Sequence, residues 1–334
     1  MSASTSWSPR AANRRRHMIE QGYGLLARLG QALFVLWAAF TLSFLILYAL
    51  PSDPVTIMLS QSAEMSAADQ AQVDALKSRY HLDEPLPVQY AIALWQALQL
   101  DLGNSIQSGK AVTLTLWQAL PGTAALTAAA LLLAIPAGVG LALLASLVRN
   151  PRTQETLLAL PSVAVSLPTF WVGLLLLQWL SFRIHLFPAM GNQGLASLAL
   201  PALTLAIPTA AVIAQVLSRS IAGVIRQPFV TALRSKGLSR SRVLFGHVLH
   251  NAAIPLLTLA GGIIGNLLAG AVVTETVFSR DGIGRLAQGA VASQDIPMVQ
   301  GVVLLAALIY ILINLLVDLL YPLLDPRINL RKTP

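Results

Sequence analysis

The sequence contains no cysteine, and only 11% of its 334 residues are charged. The missing thiols exclude disulfide bonds, thiol catalysis and metal sites built on cysteine. Soluble domains carry about 25% charged residues, so this chain has too little charge to cover a globular surface. Hydrophobic residues instead make up 55% of the chain. The few charges lie between long apolar runs, which indicates a polytopic membrane protein.

Several catalytic motifs are also missing. The sequence has no G-x-x-x-x-G-K-[ST] loop to hold nucleotide phosphates, and neither H-E-x-x-H nor G-x-S-x-G occurs. Only two of the five histidines, His247 and His250, are close in sequence, and two ligands without a third do not make a metal site. We therefore expect no enzyme activity, no metal site and no cofactor on this chain.

Six apolar runs predict an all-α protein with six transmembrane helices. Each run is close to or above the roughly 20 residues that a helix needs to cross the hydrocarbon core. The first run is too long for a signal-peptide core and lacks a cleavage pattern, so we expect an uncleaved span. The runs are Leu29–Leu50, Leu120–Val148, Thr156–Phe182, Ala196–Leu217, Pro255–Thr276 and Val299–Leu320.

The basic residues orient these spans. If the N-terminus is inside, sixteen of the 22 lysines and arginines fall in cytoplasmic segments, as the positive-inside rule requires. Both termini are then cytoplasmic. The predicted segments are a basic tail (1–28), the first helix (29–50), an extracytoplasmic cap (51–118), a five-helix core (119–325) containing a cytoplasmic loop (218–254), and a cytoplasmic tail (326–334).

Two short helices are predicted in the extracytoplasmic cap. Met65 to Tyr80 has helical spacing, with Ser66 and Asp69 as capping residues. Val88 to Leu100 has the pattern of an amphipathic helix. We therefore expect a small folded unit on the outer face.

The predicted spans contain almost no ionisable residues, although ion-coupled transporters usually carry them. Glu275 and Asp318 lie near span ends, and Asn266 and Asn314 are the deeper polar residues. Asn266, Glu275 and Asn314 are candidates for lining a translocation path, or for hydrogen bonding between helices. If the protein transports a solute, the energy is expected to come from a partner.

The most distinctive segment is the cytoplasmic stretch from Phe229 to Leu257, which is basic and of near-helical pattern. Gly237 divides it, and a glycine there suits a turn. Its four positive charges are Arg234, Lys236, Arg240 and Arg242.

This segment resembles the E-A-A-x-x-x-G loop of binding-protein-dependent ABC transporter permeases, with Ala232 and Gly237 at matching positions. ALRSKGLSRSRVLFGHVLHNAAIP is similar to the dipeptide/oligopeptide/nickel branch. Thr231 and Leu233 depart from the motif, as do Ser52 and the pair Arg280-Asp281 elsewhere. Five other segments resemble the same family and occur in the family's order along the chain. They are LPSDPV (50–55), YHLDEPLPVQY (80–90), DLGNSI (101–106), VVTETVFSRDGIGRL (272–286) and VQGVVLLAALIYILINLLVDLLYPLLDPRI (299–328).

The resemblance implies a type I ABC importer transmembrane domain in the bacterial inner membrane, with an extracytoplasmic insertion after the first helix. It also implies a permease subunit that forms half of the pathway for di- or oligopeptides or a related small solute. The implied partners are a second homologous permease, two ABC ATPase subunits that hold ATP and Mg²⁺, an extracytoplasmic solute-binding protein and membrane lipid, with no nucleic acid. The substrate stays open among peptides, nickel or metal chelates, glutathione and opines.

In such permeases the cytoplasmic loop forms two short helices that dock on an ATPase, with Gly237 at the turn between them. Arg240 and Leu244 are expected to support this contact. The implied coupling residues are Ala232, Arg234, Lys236, Gly237, Leu238, Arg242, Val243 and Phe245. Two other classes of function remain open, a self-contained secondary transporter or channel, and a membrane scaffold without a pore.

Overall fold

The computed structural model describes residues 28–47, 78 and 83–324, with side chains to residue 319. These residues are nearly all helical. Five helices are long and apolar enough to cross a membrane, and a bent pair makes up to six. The expected all-α fold is therefore confirmed in this part of the chain. The tails 1–27 and 325–334 and the proposed helix from Met65 to Tyr80, apart from Ser78, lie outside the described residues.

The helices follow one another with short connections. We number them α1 (Arg28–Leu47), α2 (Leu86–Leu98), α3 (Val112–Leu147), α4 (Pro151–Ser166), α5 (Thr169–Leu176), α6 (Ala196–Ile225), α7 (Pro228–Ser235), α8 (Arg240–Val243), α9 (Leu249–Ala252), α10 (Ile254–Val277), α11 (Ile283–Ala292) and α12 (Ile296–Leu324). Two π-helical segments, Leu177–Arg183 and Leu244–Val248, follow α5 and α8.

The centre of the fold is the contact between α3 and α6. Both helices present small residues to each other, and in a membrane such residues let two backbones approach closely. Gly138 of α3 lies against Ala210 and Ile213 of α6. The same core continues to α10 through Leu126, Leu205 and other residues. Its buried members are Leu126, Ala130, Ala134, Ala202, Leu205, Ala206, Ile213, Ile263, Leu267 and Ala271.

The third predicted span, Thr156–Phe182, is not one continuous helix. Asn150 caps the start of α4 by accepting a hydrogen bond from the Arg152 backbone N–H. The chain then breaks at Leu167 and Pro168, and α4 and the helix after it meet at an angle of 98°. A residue that precedes proline is driven out of the helical region, and Leu167 is extended here.

The second predicted span also differs at its start. Helix α3 begins at Val112 rather than Leu120, so the end of the proposed cap segment belongs to this helix. The expected amphipathic helix at Val88–Leu100 is present as α2. Helix α2 packs on α1, because the ring of Tyr90 contacts Phe40 and Phe44.

The two ends of the bundle have different character. We call the end where α3 and α6 terminate the basic end, because Arg149, Arg152, Arg226 and Arg234 follow those helices. The opposite end carries the loop 101–111, the loop 184–195 and α11. Arg28 and Asp318 form an ion pair at 3.6 Å, which joins the start of α1 to the end region of α12.

Replacing Gly138 should disturb the α3–α6 contact. A Cβ atom at this position would lie 2.6 Å from the backbone oxygen of Ala210, so Gly138→Ala should lower the free energy of unfolding by about 1–3 kcal/mol. The matched control is Gly140→Ala, two residues further along, where a Cβ atom meets nothing within 4 Å. Thermal unfolding of the detergent-solubilised protein measures both; equal melting temperatures would contradict the close packing.

Candidate functional site

The basic loop forms a helical hairpin at the basic end. Helix α7 ends at Ser235, Gly237 follows with φ of +82°, and α8 begins after Ser239. The Gly237 N–H donates to the Arg234 carbonyl at 2.9 Å, which closes the end of α7. A left-handed residue at this point is typical of a helix that stops on glycine. The predicted turn at Gly237 is therefore present between α7 and α8.

The base of this hairpin is packed on the chain's own helices. Val230, Val243 and Leu244 are buried with Ala142 of α3 and Ile221 of α6. Val243 is only 1% exposed. The sequence analysis assigned Val243 and Leu244 to an ATPase contact. The structure instead places both inside this chain, where they fix the hairpin to α3 and α6.

The tip of the hairpin, residues 231–242, is mostly exposed. Leu238 is half-buried, and Phe245 is 53% exposed beside the base. The exposed tip also carries most of the remaining predicted coupling residues, and these are Ala232, Arg234, Lys236, Gly237 and Arg242. These residues are thus exposed together on α7, the Gly237 turn and α8.

Arg240 has a role that sequence reasoning missed. Its Nη2 donates to the backbone oxygen of Ser146 at 3.0 Å, in the last turn of α3. A cation at this position satisfies a free helix carbonyl and interacts favourably with the helix dipole. The contact joins residues 94 apart, so no local signal in the sequence could have identified it.

Glu275, one of the predicted pathway residues, is buried at the opposite end and only 1% exposed. Its Oε1 accepts from the Thr123 hydroxyl at 2.6 Å, and its Oε2 accepts from the Arg285 backbone N–H at 3.1 Å. The Thr123 Oγ1 in turn accepts from the Ile283 backbone N–H at 2.8 Å. Glu275 and Thr123 thus cap the start of α11 and tie it to α3 and α10. We call this group the α11 clamp.

Arg280 extends the clamp toward α6. Its Nη1 donates to the carbonyl oxygens of Gly191 and Ser197, each at 3.1 Å. Burial lowers the pKa of the Arg280 guanidinium, while the charges of Glu275 and Asp281 oppose that shift. Arginine stays protonated under such conditions, so a buried positive charge holds the loop 184–195 to the start of α6.

The two predicted asparagines lie in different surroundings. Asn314 of α12 donates from Nδ2 to the Tyr310 carbonyl at 2.9 Å, and its Oδ1 points at Gly261 of α10. Asn314 therefore takes part in the packing of α12 on α10. Asn266 is exposed in the middle of α10. The structure does not bring Asn266, Glu275 and Asn314 into one site.

Asn266 belongs to an uncovered face of α10 whose members recur every three or four residues. Side chains at that spacing share one side of a helix. Several are small or polar, whereas exposed leucines line α12. Small and polar residues suit helix contacts or a solvent-lined path better than lipid. This α10 face consists of Pro255, Leu259, Gly262, Asn266, Ala269, Val273 and Thr276.

Within the described residues, no group of three or more histidine, cysteine or acidic side chains is arranged to hold a metal ion. His247 and His250 are both exposed, on the π-helical segment and α9. The proposal that this chain carries no cofactor of its own stays a prediction.

A family model, described as binding-protein-dependent transport system inner membrane component, matches residues 134–330. A putative peptide transport system permease protein of Brucella abortus is 32% identical over 295 residues, covering 86% of this chain and 92% of the relative. A di/tripeptide transport system permease protein of Pseudomonas aeruginosa is 34% identical, covering 85% and 92%. A probable peptide ABC transporter permease protein of Sinorhizobium fredii is 33% identical, covering 87% and 94%.

Two solved structures share the fold. Both are inward-facing conformations of the MetNI methionine ABC transporter. One has a TM-score of 0.52 and 18% identity, covering 63% of this chain and 96% of the other. The second has a TM-score of 0.50 and 16% identity, covering 63% and 97%. The expected type I importer architecture is therefore confirmed.

Thr123→Val should weaken the α11 clamp. It removes the hydroxyl that serves both Glu275 and the Ile283 N–H, and a buried polar group without a partner costs about 1–3 kcal/mol. Thr127→Val is the matched control, since the buried Thr127 hydroxyl, one turn along α3, has no hydrogen-bond partner in the described structure. Thermal unfolding should show a lower melting temperature for Thr123→Val alone, and similar values for both variants would refute the clamp.

Truncation of the two asparagines should affect different properties, namely stability for Asn314 and solute uptake for Asn266. Asn314→Ala removes an amide packed between α10 and α12 and should destabilise the chain by about 1 kcal/mol. Asn266→Ala should leave the melting temperature unchanged, because its side chain is exposed, yet reduce solute uptake. Both are measured by unfolding in detergent and by uptake into proteoliposomes; a loss of stability in Asn266→Ala would assign that residue to packing.

Proposed function

The chain belongs to the family of binding-protein-dependent transport system inner membrane components, as a permease component of an ABC importer, and we propose that it forms half of a pathway for di- and oligopeptides. The names of its relatives as peptide permeases support this substrate class. Family membership makes it a multi-pass protein of the inner membrane. We further propose that the basic end faces the cytoplasm, as the distribution of arginines favours.

The coupling mechanism rests on one observation, the exposed hairpin tip mounted on a buried base. We propose that this tip docks on an ABC ATPase subunit, which holds ATP and Mg²⁺. Ala232 is small enough for close approach, and Arg234, Lys236 and Arg242 suit acidic groups on the partner. Phe245 is exposed beside the base and offers an apolar anchor of the kind that dominates protein interfaces.

Motion at the tip has a direct route into the membrane. Val243 and Leu244 are buried against α3 and α6, and Arg240 bonds to the end of α3. A displacement of the hairpin by the ATPase would therefore act on the two central helices. Such rigid-body coupling is one of the known ways in which a local movement becomes a change of access.

The α10 face is the proposed contact with a second homologous permease and with the substrate path. The other described residues leave it uncovered, and Gly262 and Ala269 allow close approach of another helix. Asn266 is the polar group in its middle third. Glu275 and Asn314 no longer belong to this proposal, because both are engaged within the chain.

Co-purification tests the assignment. A tagged chain in its native membrane should bring down a second permease and two ATPase subunits, and uptake in proteoliposomes should require ATP and a solute-binding protein. Uptake of solute by the purified chain alone would instead establish a self-contained transporter. Assembly without any substrate-dependent ATPase activity would favour a scaffold.

Gly237→Ala tests the hairpin turn. A residue with a side chain loses about 1–2 kcal/mol in the left-handed conformation, so the turn should shift and ATPase association should weaken roughly tenfold. Because a Cβ atom at Gly237 meets nothing within 4 Å, the effect would come from the backbone alone.

Gly223→Ala serves as the control for this variant, since Gly223 is helical and equally unobstructed. Binding of the ATPase and peptide-stimulated ATP hydrolysis are compared for both variants in nanodiscs. Wild-type values for Gly237→Ala would argue against a coupling role for the turn.

A further inference from the structure

A cleft with several polar side chains in its lining opens at the end of the bundle opposite the hairpin. It has a volume of about 510 Å³ and lies between the loop 105–110, the first turns of α3, and α11. Gln107, Lys110, Gln118 and Arg285 are exposed members of its lining. If the basic end is cytoplasmic, as proposed above, this cleft faces the side from which substrate arrives.

One wall of the cleft is fixed by Asp295, a carboxylate that is only 2% exposed. Its Oδ2 accepts from the Ser105 hydroxyl at 2.5 Å, and its Oδ1 accepts from the Ile106 backbone N–H at 3.1 Å. Its Oδ1 also receives the Met298 backbone N–H at 3.3 Å, as a capping residue at the start of a helix does. Asp295 therefore attaches the loop to the first turn of α12.

The other wall is equally well anchored. Helix α11 begins on the clamp formed by Thr123 and Glu275, which belong to α3 and α10. Both walls are thus attached to membrane-spanning helices through buried acidic groups. A surface held in this way is preformed, so a partner would lose little free energy in ordering it.

The charges of the cleft favour a negatively charged group. Asp295 is saturated by hydrogen bonds, and Asp281 is engaged by Arg285 at 3.6 Å and by the Asn192 amide at 2.9 Å. Lys110 has no ion pair with any other described residue. Among the residues that the structure describes, the side-chain amides of Gln107 and Gln118 have no hydrogen-bond partner either. These groups and the Lys110 ammonium can donate together to a carboxylate, which accepts several hydrogen bonds at once.

We propose that this cleft receives an acidic side chain of the solute-binding protein. The inference rests on the proposed importer function and specifies the docking point of that partner. The substrate itself is a less suitable occupant, because no residue of the α10 face lines the cleft. Docking in this cleft would act on α12 through Asp295, and on α3 and α10 through the α11 clamp.

Site-specific photo-crosslinking tests the proposal in the complete complex. A photoreactive amino acid at Gln118 should form an adduct that mass spectrometry identifies as the solute-binding protein. Lys110→Glu should lower the adduct yield about tenfold, since like charges oppose association, and raised salt should reduce the wild-type yield. Arg183→Glu is the matched control, because Arg183 lies outside the cleft, over the ring of Trp179.

Three outcomes would overturn the inference. They are an adduct with another part of this chain or with the second permease, an adduct with substrate peptide, and an equal loss of yield in both charge variants. Co-purified ATPase subunits are quantified in the same membranes. If they are absent, the proposed function fails; if they are present and the binding protein is not captured, only the docking point fails.

Discussion

The close contact between α3 and α6 determines where every proposed working part of this permease lies. Gly138 brings the α3 backbone against Ala210 of α6, and the buried residues on either side continue this contact along both helices. Lipid tails are as apolar as the helices themselves, so helices in a membrane gain stability from close packing of small residues rather than from the hydrophobic effect. The hairpin base and the α11 clamp are attached at opposite ends of this pair.

That arrangement gives a physical route between the two ends. At the basic end, Arg240 and Leu244 fix the hairpin to α3 and α6. At the other end, Thr123 of α3 supports α11, and Arg280 bonds to Ser197 at the start of α6. The same two helices therefore carry the contacts that attach the hairpin at one end, and α11 and Arg280 at the other. A packed pair of helices transmits displacement as a unit, because protein interiors are nearly incompressible.

Hydropathy predicted five of the six spans as single long helices, because apolar length is a local property of the sequence. It did not predict the break at Leu167-Pro168, where a local backbone restriction interrupts an apolar run. Hydropathy also placed the start of α3 too late. The polar residues Thr113 and Thr115 lie in its first turn, so the apolar run begins only after the helix has begun.

The division of the hairpin into base and tip was less accessible from sequence. Val243 and Leu244 are apolar, and from the sequence either this chain or a partner could cover them. Only the position of α3 and α6 decides between the two. The same holds for Arg240, whose acceptor is a backbone carbonyl 94 residues away.

The hydrogen bonds of Glu275 help to decide which source of energy would drive transport. As an acidic group near a span end it was a candidate for a transport path, and such groups carry protons in many coupled transporters. Here both of its oxygens are engaged, one by Thr123 and one by the Arg285 N–H. Protonation of Glu275 would turn one of these two acceptor oxygens into a donor and would weaken the attachment of α11. A driving force applied at the hairpin leaves this clamp intact, which is the physical reason to favour an ATPase over a proton as the source of energy.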